Sequence, residues 1–125
     1  MNQQTNRRHF RVPLNLLVQV RAKDYGDLVE RRALNISNGG VFIETERPHR
    51  EGVMVFFQLA TREDGALIEA MGRVVRTVGV EEAKEPMRPG MGIEFVSMTE
   101  QSEARLHQLV HQRRQMCSPG GKMLV

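Results

Sequence analysis

Two short segments of the chain carry side chains that can bind a small charged ligand. In the first, Arg7, Arg8 and Arg11 lie within five residues that contain no acid. Arginine is permanently charged, and its planar guanidinium forms paired hydrogen bonds with phosphate oxygens. This local excess of positive charge favours a small anionic partner. Considered alone, the cluster equally fits a solvated basic arm.

The second segment, residues 35–40, combines three kinds of polar group. Asn35 supplies an amide, Ser37 a hydroxyl, and Gly39 and Gly40 follow them. Residues i and i+2 of a strand share a face, which predicts that the amide and the hydroxyl point the same way. Glycine at position 40 allows a ligand to approach the backbone where a Cβ would collide. Considered alone, the end of the segment is also typical of a tight turn.

Composition indicates one soluble domain. The chain has 125 residues, of which 40% are apolar and 26% charged, and its net charge of +3 does not suggest a protein that coats nucleic acid. The single Cys117 excludes an internal disulfide and fits a reducing compartment. We see no signal peptide and nothing near the ~20 apolar residues that a membrane span needs. We therefore expect a cytoplasmic protein with no membrane insertion.

Short apolar runs separated by turns predict six strands, over residues 14–21, 32–37, 41–45, 53–60, 66–78 and 92–96. Without a βαβ pattern, such strands favour an antiparallel barrel or sandwich. Thr99 is then a plausible N-cap for a helix that runs to about Met116. Its apolar stripe, formed by Leu106, Leu109 and Val110, predicts packing against the sheet.

The order of these motifs resembles the PilZ domain family, whose signature is RxxxR followed by [D/N]xSxxG. Residues 7–11 have the spacing of the first part and residues 35–40 that of the second. Residues 72–76 and 90–95 resemble the later strand pair of the family. The resemblance extends over roughly residues 7–115. It implies a mainly β fold, a six-stranded antiparallel PilZ-type β-barrel with a C-terminal α-helix packed on it.

The resemblance also implies a division of the chain into three parts. Residues 1–12 are expected to be a flexible basic arm that carries RxxxR, and residues 13–116 the barrel with its helix. Residues 117–125 would be a tail.

PilZ domains bind the bacterial second messenger cyclic di-GMP, and the resemblance assigns that role to seven residues: Arg7, Arg8, Arg11, Asn35, Ser37, Gly39 and Gly40. The RxxxR spacing selects Arg7 and Arg11, while Arg8 could share or replace the role of Arg7. Many members have Asp at the position of Asn35. Asn keeps an acceptor oxygen but loses a charge-assisted contact, which implies weaker binding. No metal and no cofactor other than this ligand are expected.

The resemblance implies a second-messenger receptor or adaptor that regulates a protein effector in motility, pilus, polysaccharide or biofilm control. Ligand would act by ordering the N-terminal arm. The alternative is a PilZ-fold protein–protein adaptor with weak or no nucleotide binding. An enzyme is not expected, because no nucleophile–base pair or paired carboxylates can be found. We expect no DNA or RNA partner, since aromatic residues make up only 5% of the chain. The protein should be a monomer or a weak homo-oligomer.

Several further residues invite a functional interpretation but are expected to be structural. Four phenylalanines are predicted to lie in the core: Phe42, Phe56, Phe57 and Phe95. Arg73 and Arg76 could reach the ligand, although solvation of the outer face of a strand is favoured. His107 and His111 have a spacing that can hold a metal, but no third ligand is evident.

Overall fold

The computed structural model describes residues 11–24, 26–60, 65 and 67–117. These residues form six strands and one helix: β1 Val12–Ala22, β2 Val29–Ile36, β3 Gly40–Glu44, β4 Met54–Ala60, β5 Leu67–Val78, β6 Gly90–Ser97 and α1 Glu100–Cys117. Neighbouring strands are antiparallel and follow the order β1-β2-β3-β6-β5-β4 around a closed barrel. The predicted six-stranded antiparallel barrel with a C-terminal helix is confirmed.

Three strands begin two or three residues earlier than the apolar runs predict: β1 at Val12, β2 at Val29 and β6 at Gly90. The reason is backbone pairing, since Val12 lies opposite Ile36 and Val29 opposite Val20 in the ladder between β1 and β2. Residues 1–10 of the predicted arm and residues 118–125 of the predicted tail lie outside the described residues.

The barrel interior is filled mainly by alternate residues of the strands. In β1, Val12, Leu14, Val18 and Val20 are buried, while the residues between them are exposed or partly exposed. A fully buried side chain of this size stabilises the fold by about 1.5–3 kcal/mol. The largest fully buried side chain among the described residues is Phe57.

The phenylalanines are divided between the inside and the outside of the barrel. Phe57 is in the core, and the ring of the partly buried Phe95 lies 5.6 Å from it, centroid to centroid. Phe42 and Phe56 are only half-buried, because their neighbours on both sides in the sequence occupy the inward positions. The prediction that all four lie in the core is therefore wrong for Phe42 and Phe56.

The helix begins and packs as the sequence predicts. The side-chain oxygen of Thr99 accepts a hydrogen bond from the Ser102 N–H at 3.0 Å, which is the contact of an N-cap. Leu106, Leu109 and Val110 belong to the hydrophobic core. Within the described residues, no helix has the length and apolar character that a membrane crossing requires.

The first turns of α1 also complete the hydrogen bonding of β5. The ladder between β5 and β6 begins only at Met71, so the first residues of β5 lack a partner on that side. There the Glu69 N–H donates to the Ser102 hydroxyl oxygen at 3.0 Å, and Arg105 Nη1 donates to the Leu67 carbonyl at 2.9 Å. The helix is thus joined to the barrel by polar contacts as well as by its apolar stripe.

Substituting Ser102 by alanine should lower the free energy of unfolding by about 1 kcal/mol. The Glu69 N–H would lose its acceptor, at a cost of about 1–3 kcal/mol, while the higher helix propensity of alanine would offset about 0.5 kcal/mol. Urea denaturation followed by circular dichroism measures the change. The control is Gln101→Ala, since Gln101 is exposed in the same turn. Equal midpoints for the two variants would contradict the role of Ser102.

Candidate ligand-binding site

The two signature segments meet at one end of the first strand pair. Arg11 directly precedes β1, and Pro13 lies opposite Asn35 in the ladder between β1 and β2. Arg11 Nη1 donates a hydrogen bond to Asn35 Oδ1 at 2.7 Å. The barrel therefore brings Arg11 and Asn35 together. Arg7 and Arg8 lie outside the described residues.

The Ser37 hydroxyl is used to build the turn between β2 and β3. Ser37 is 2% exposed, and its Oγ accepts hydrogen bonds from the N–H of Gly39 at 3.1 Å and of Gly40 at 3.2 Å. The sequence predicts that the Asn35 amide and the Ser37 hydroxyl point the same way, but the Ser37 hydroxyl is directed into the turn. The reason is that β2 ends at Ile36, so the alternation of a strand no longer governs the direction of the Ser37 side chain.

Gly40 is required by the contact between two strands. A Cβ at this position would overlap the carbonyl oxygen of Ile93 on the neighbouring strand β6. The turn is also fixed to β6 by the Phe95 N–H, which donates to the Gly39 carbonyl at 2.9 Å. The absence of a side chain at Gly40 therefore already has a structural cause, independent of any ligand.

A groove of about 320 Å³ opens on the outer face of the barrel beside the Arg11–Asn35 contact. It is lined by Arg11, Leu34, Asn35, Phe42, Val75, Arg76, Pro86, Met87, Arg88 and Gly92. A smaller depression of about 60 Å³ shares two of these residues and is lined by Arg11, Ser37, Gly39, Gly40, Val75, Ile93 and Glu94. All five described residues of the predicted site thus lie on one of two adjoining surfaces.

Phe42 and Arg76 belong to the groove, although the sequence favoured a core position for Phe42 and solvation for Arg76. The Arg76 guanidinium carbon lies 5.6 Å from the centroid of the Phe42 ring, a cation–π distance. Strict alternation in residues 41–43 would have placed Phe42 outside the barrel. Arg76 follows a register shift between Val74 and Arg76 that leaves both Val75 and Arg76 exposed, and the sequence gives no clear sign of this shift.

The groove is electrostatically positive. The pKa of Arg11 lies below its ordinary value, first because partial burial disfavours the charged form and second because the charge of Arg76 repels it. Arginine nevertheless remains protonated at neutral pH. Two cations that face one groove favour an anion, because the anion would relieve this repulsion.

The loop between β5 and β6 forms the far wall of the groove and is fixed to β3. Arg88 and Glu44 form a salt bridge with 2.6 Å between Nη2 and Oε2, and the Thr45 N–H donates to the Pro89 carbonyl at 3.1 Å. Beyond Arg88 lies a second cleft of about 530 Å³, lined by Leu17, Glu30, Arg31, Arg32, Glu44, Thr45, Glu46, Arg47, Arg88 and Pro89. Its mixture of arginines and glutamates makes it less positive than the groove.

The two histidines of the helix are exposed, and His111 Nε2 lies 3.4 Å from Gln115 Nε2. In the described part of the chain, no three His, Cys, Asp or Glu side chains are grouped to hold a metal ion. The spacing of His107 and His111 therefore gains no third ligand from the residues that the structure describes.

The model of the PilZ domain family matches residues 5–112. This match covers most of the 125 residues, and the chain belongs to the PilZ domain family. No curated protein matches the chain significantly in sequence.

Solved structures with the same fold include three PilZ-related proteins. The inhibitor of motility MotI/DgrA of Bacillus subtilis has 17% identity and a TM-score of 0.74, over 89% of this chain and 52% of that one. The PilZ domain of Escherichia coli YcgR with c-di-GMP has 16% identity and a TM-score of 0.65, over 86% of this chain and 91% of that one. The PilZ domain of CeSA from a cellulose synthesizing bacterium has 21% identity and a TM-score of 0.59, over 82% of this chain and 96% of that one. The chain thus spans about half the length of MotI/DgrA and nearly all of the isolated PilZ domains.

Proposed function

We propose that this protein is a cyclic di-GMP receptor that passes the signal to a protein partner in motility, pilus, polysaccharide or biofilm control. The observation that carries the proposal is the Arg11–Asn35 hydrogen bond, which joins the two signature segments at the edge of a positive groove. PilZ domains are receptor and adaptor domains, so catalysis forms no part of the proposal. We expect the protein to act in the cytoplasm as a monomer or weak homo-oligomer.

The groove offers the groups that the ligand requires. Cyclic di-GMP carries two phosphates and two guanines, so a receptor must meet negative charge and a guanine edge together. The Arg11 guanidinium has donors for a phosphate or for guanine O6 and N7. Asn35 retains its NH₂ donors while its oxygen accepts from Arg11. The YcgR PilZ domain, which has the same fold, was solved with c-di-GMP.

The proposed mechanism links ligand to partner through the part of the predicted N-terminal arm that precedes β1, since Val12 already belongs to that strand. Arg7 or Arg8 would also contact the ligand, so that the ligand holds the arm against the barrel. A change in the arm alters the surface that a partner contacts. NMR spectra of the arm amides with and without ligand test this step, and identical spectra in both states would contradict it.

Isothermal titration with cyclic di-GMP tests the binding itself, with GTP and cyclic di-AMP as controls. We expect a dissociation constant of about 1 µM or lower, which corresponds to about −8 kcal/mol, and much weaker binding of both controls. The stoichiometry will show whether one or two ligand molecules bind. Absence of heat and of competition at high ligand concentration would contradict the proposal.

The second candidate is a PilZ-fold adaptor with weak or no nucleotide binding. The observation in its favour is that the Ser37 hydroxyl is already bonded within the turn, so one predicted ligand contact is used by the fold. A protein that fails to bind cyclic di-GMP in the titration but remains folded would support this candidate.

A further inference from the structure

The Arg76–Phe42 contact is built across three neighbouring strands. Phe42 on β3 and Arg76 on β5 both lie opposite Gly92 of the intervening strand β6. Because Gly92 has no side chain, the arginine can extend over that strand to the phenylalanine ring. A Cβ at Gly92 would be 3.6 Å from Arg76 Cβ and 3.9 Å from Phe42 Cδ1, so a larger side chain would occupy this space.

The charge of Arg76 is not balanced by the described residues. Its guanidinium lies over the Phe42 ring, and within the described residues no carboxylate forms a salt bridge with it. Arg11 lines the same groove and bears the same charge. Arg88, the third arginine of the groove, is by contrast paired with Glu44. Arg76 therefore presents an available cation on a rigid aromatic support.

Apolar surface adjoins this cation. Val75 is 46% exposed and Met87 is 49% exposed, and both line the groove together with Arg76. The flat base of a nucleotide could cover these side chains, while the phosphate of the nucleotide or the polar edge of the base contacts the Arg76 guanidinium. A purine nucleotide combines these two properties, whereas inorganic phosphate has only the charge.

We propose that Arg76, supported by Phe42, forms a second half-site in the groove, which binds one guanine nucleotide unit of the ligand while Arg11 and Asn35 bind the other. This inference rests on the proposed function. The fork of Arg76 would donate to a phosphate or to guanine O6 and N7. Phe42 is a positioning residue, because it acts by holding the guanidinium in place.

Titration of Arg76→Ala with cyclic di-GMP tests the half-site. We expect binding about tenfold weaker, the loss of roughly one charged hydrogen bond. Arg76→Lys should regain little, since lysine lacks the planar fork. The matched control is Arg73→Ala, which removes an exposed cation of the same strand that does not line the groove. It should bind within about twofold of the wild type, because surface charges contribute little.

The role of Phe42 is tested by a double-mutant cycle. Phe42→Leu should weaken binding only while Arg76 is present, so the double variant should bind no more weakly than Arg76→Ala alone. Thermal melts of every variant confirm folding. Additive losses would overturn the supporting role of Phe42.

The outcomes separate this inference from the proposed function. If the wild type does not bind, both are wrong. If the wild type binds and Arg11→Ala weakens binding, but Arg76→Ala behaves like Arg73→Ala, only the half-site is overturned and the receptor function stands.

Discussion

Arg11→Ala is expected to weaken cyclic di-GMP binding by about 10- to 150-fold, the equivalent of 1.5–3 kcal/mol for a hydrogen bond to a charged group. Arg11 is the described arginine of the RxxxR segment, and its bond to Asn35 holds the guanidinium at the edge of the groove. Removing it takes away a ligand contact and the group that orients the Asn35 amide. Isothermal titration measures the loss.

A substitution with the same change in net charge serves as the control. Arg50 is exposed and lies outside the groove lining, so Arg50→Ala should bind within about twofold of the wild type. Arg11→Lys should remain several-fold weaker, because an ammonium cannot bond Asn35 and a phosphate in one plane. Equal losses in Arg11→Ala and Arg50→Ala would show that only overall charge matters.

Gly40→Ala is expected to lower the free energy of unfolding by about 3 kcal/mol in the absence of ligand, near the upper end for overpacked sites. The added Cβ would overlap the Ile93 carbonyl oxygen, which belongs to the backbone of β6 and cannot rotate away. Either the strands β3 and β6 separate or their hydrogen bonds distort. Urea denaturation followed by circular dichroism gives the change in stability.

Gly92→Ala is the matched control for this prediction. Gly92 is also a buried glycine of the same pair of strands, but its added Cβ would make only ordinary van der Waals contacts, at 3.6 Å and 3.9 Å. We expect no loss of stability and a gain of up to about 1 kcal/mol, because alanine restricts the unfolded chain. If Gly40→Ala has the same urea midpoint as the wild type but no longer binds cyclic di-GMP, the glycine is needed for the approach of the ligand and not for strand packing.

Alternation of apolar residues was sufficient to predict the six strands, and the change of period at Thr99 predicted the helix. The strand order around the barrel could not be predicted in this way. The pairing of β3 with β6 joins segments that are distant in sequence. This pairing also explains why glycine is needed at position 40, a requirement that depends on Ile93 and that local sequence reasoning assigned to the ligand.

The sequence predicted the part of the candidate site in which two motifs were expected to act together. The signature segments predicted that Arg11 and Asn35 act together, and they are bonded. Arg76 was expected on the outer face of its strand, where it is exposed, but its position in the groove depends on a register shift in the ladder between β5 and β6. Phe42 was misplaced because aromatic character outweighed the alternation of its own strand, in which both neighbours are buried.

The closed barrel restricts how a protein partner can bind this domain. Many domains recognise peptides by adding a strand to an open sheet edge. Here each strand of the barrel is paired on both sides, and the start of β5 is covered by Ser102 and Arg105 of the helix. Strand addition to the barrel is therefore not expected, and a partner would contact side chains of the outer wall, the helix or the N-terminal arm. Specificity for that partner can change by single surface substitutions without any change in the backbone, and the closed sheet also protects the domain from edge-to-edge aggregation.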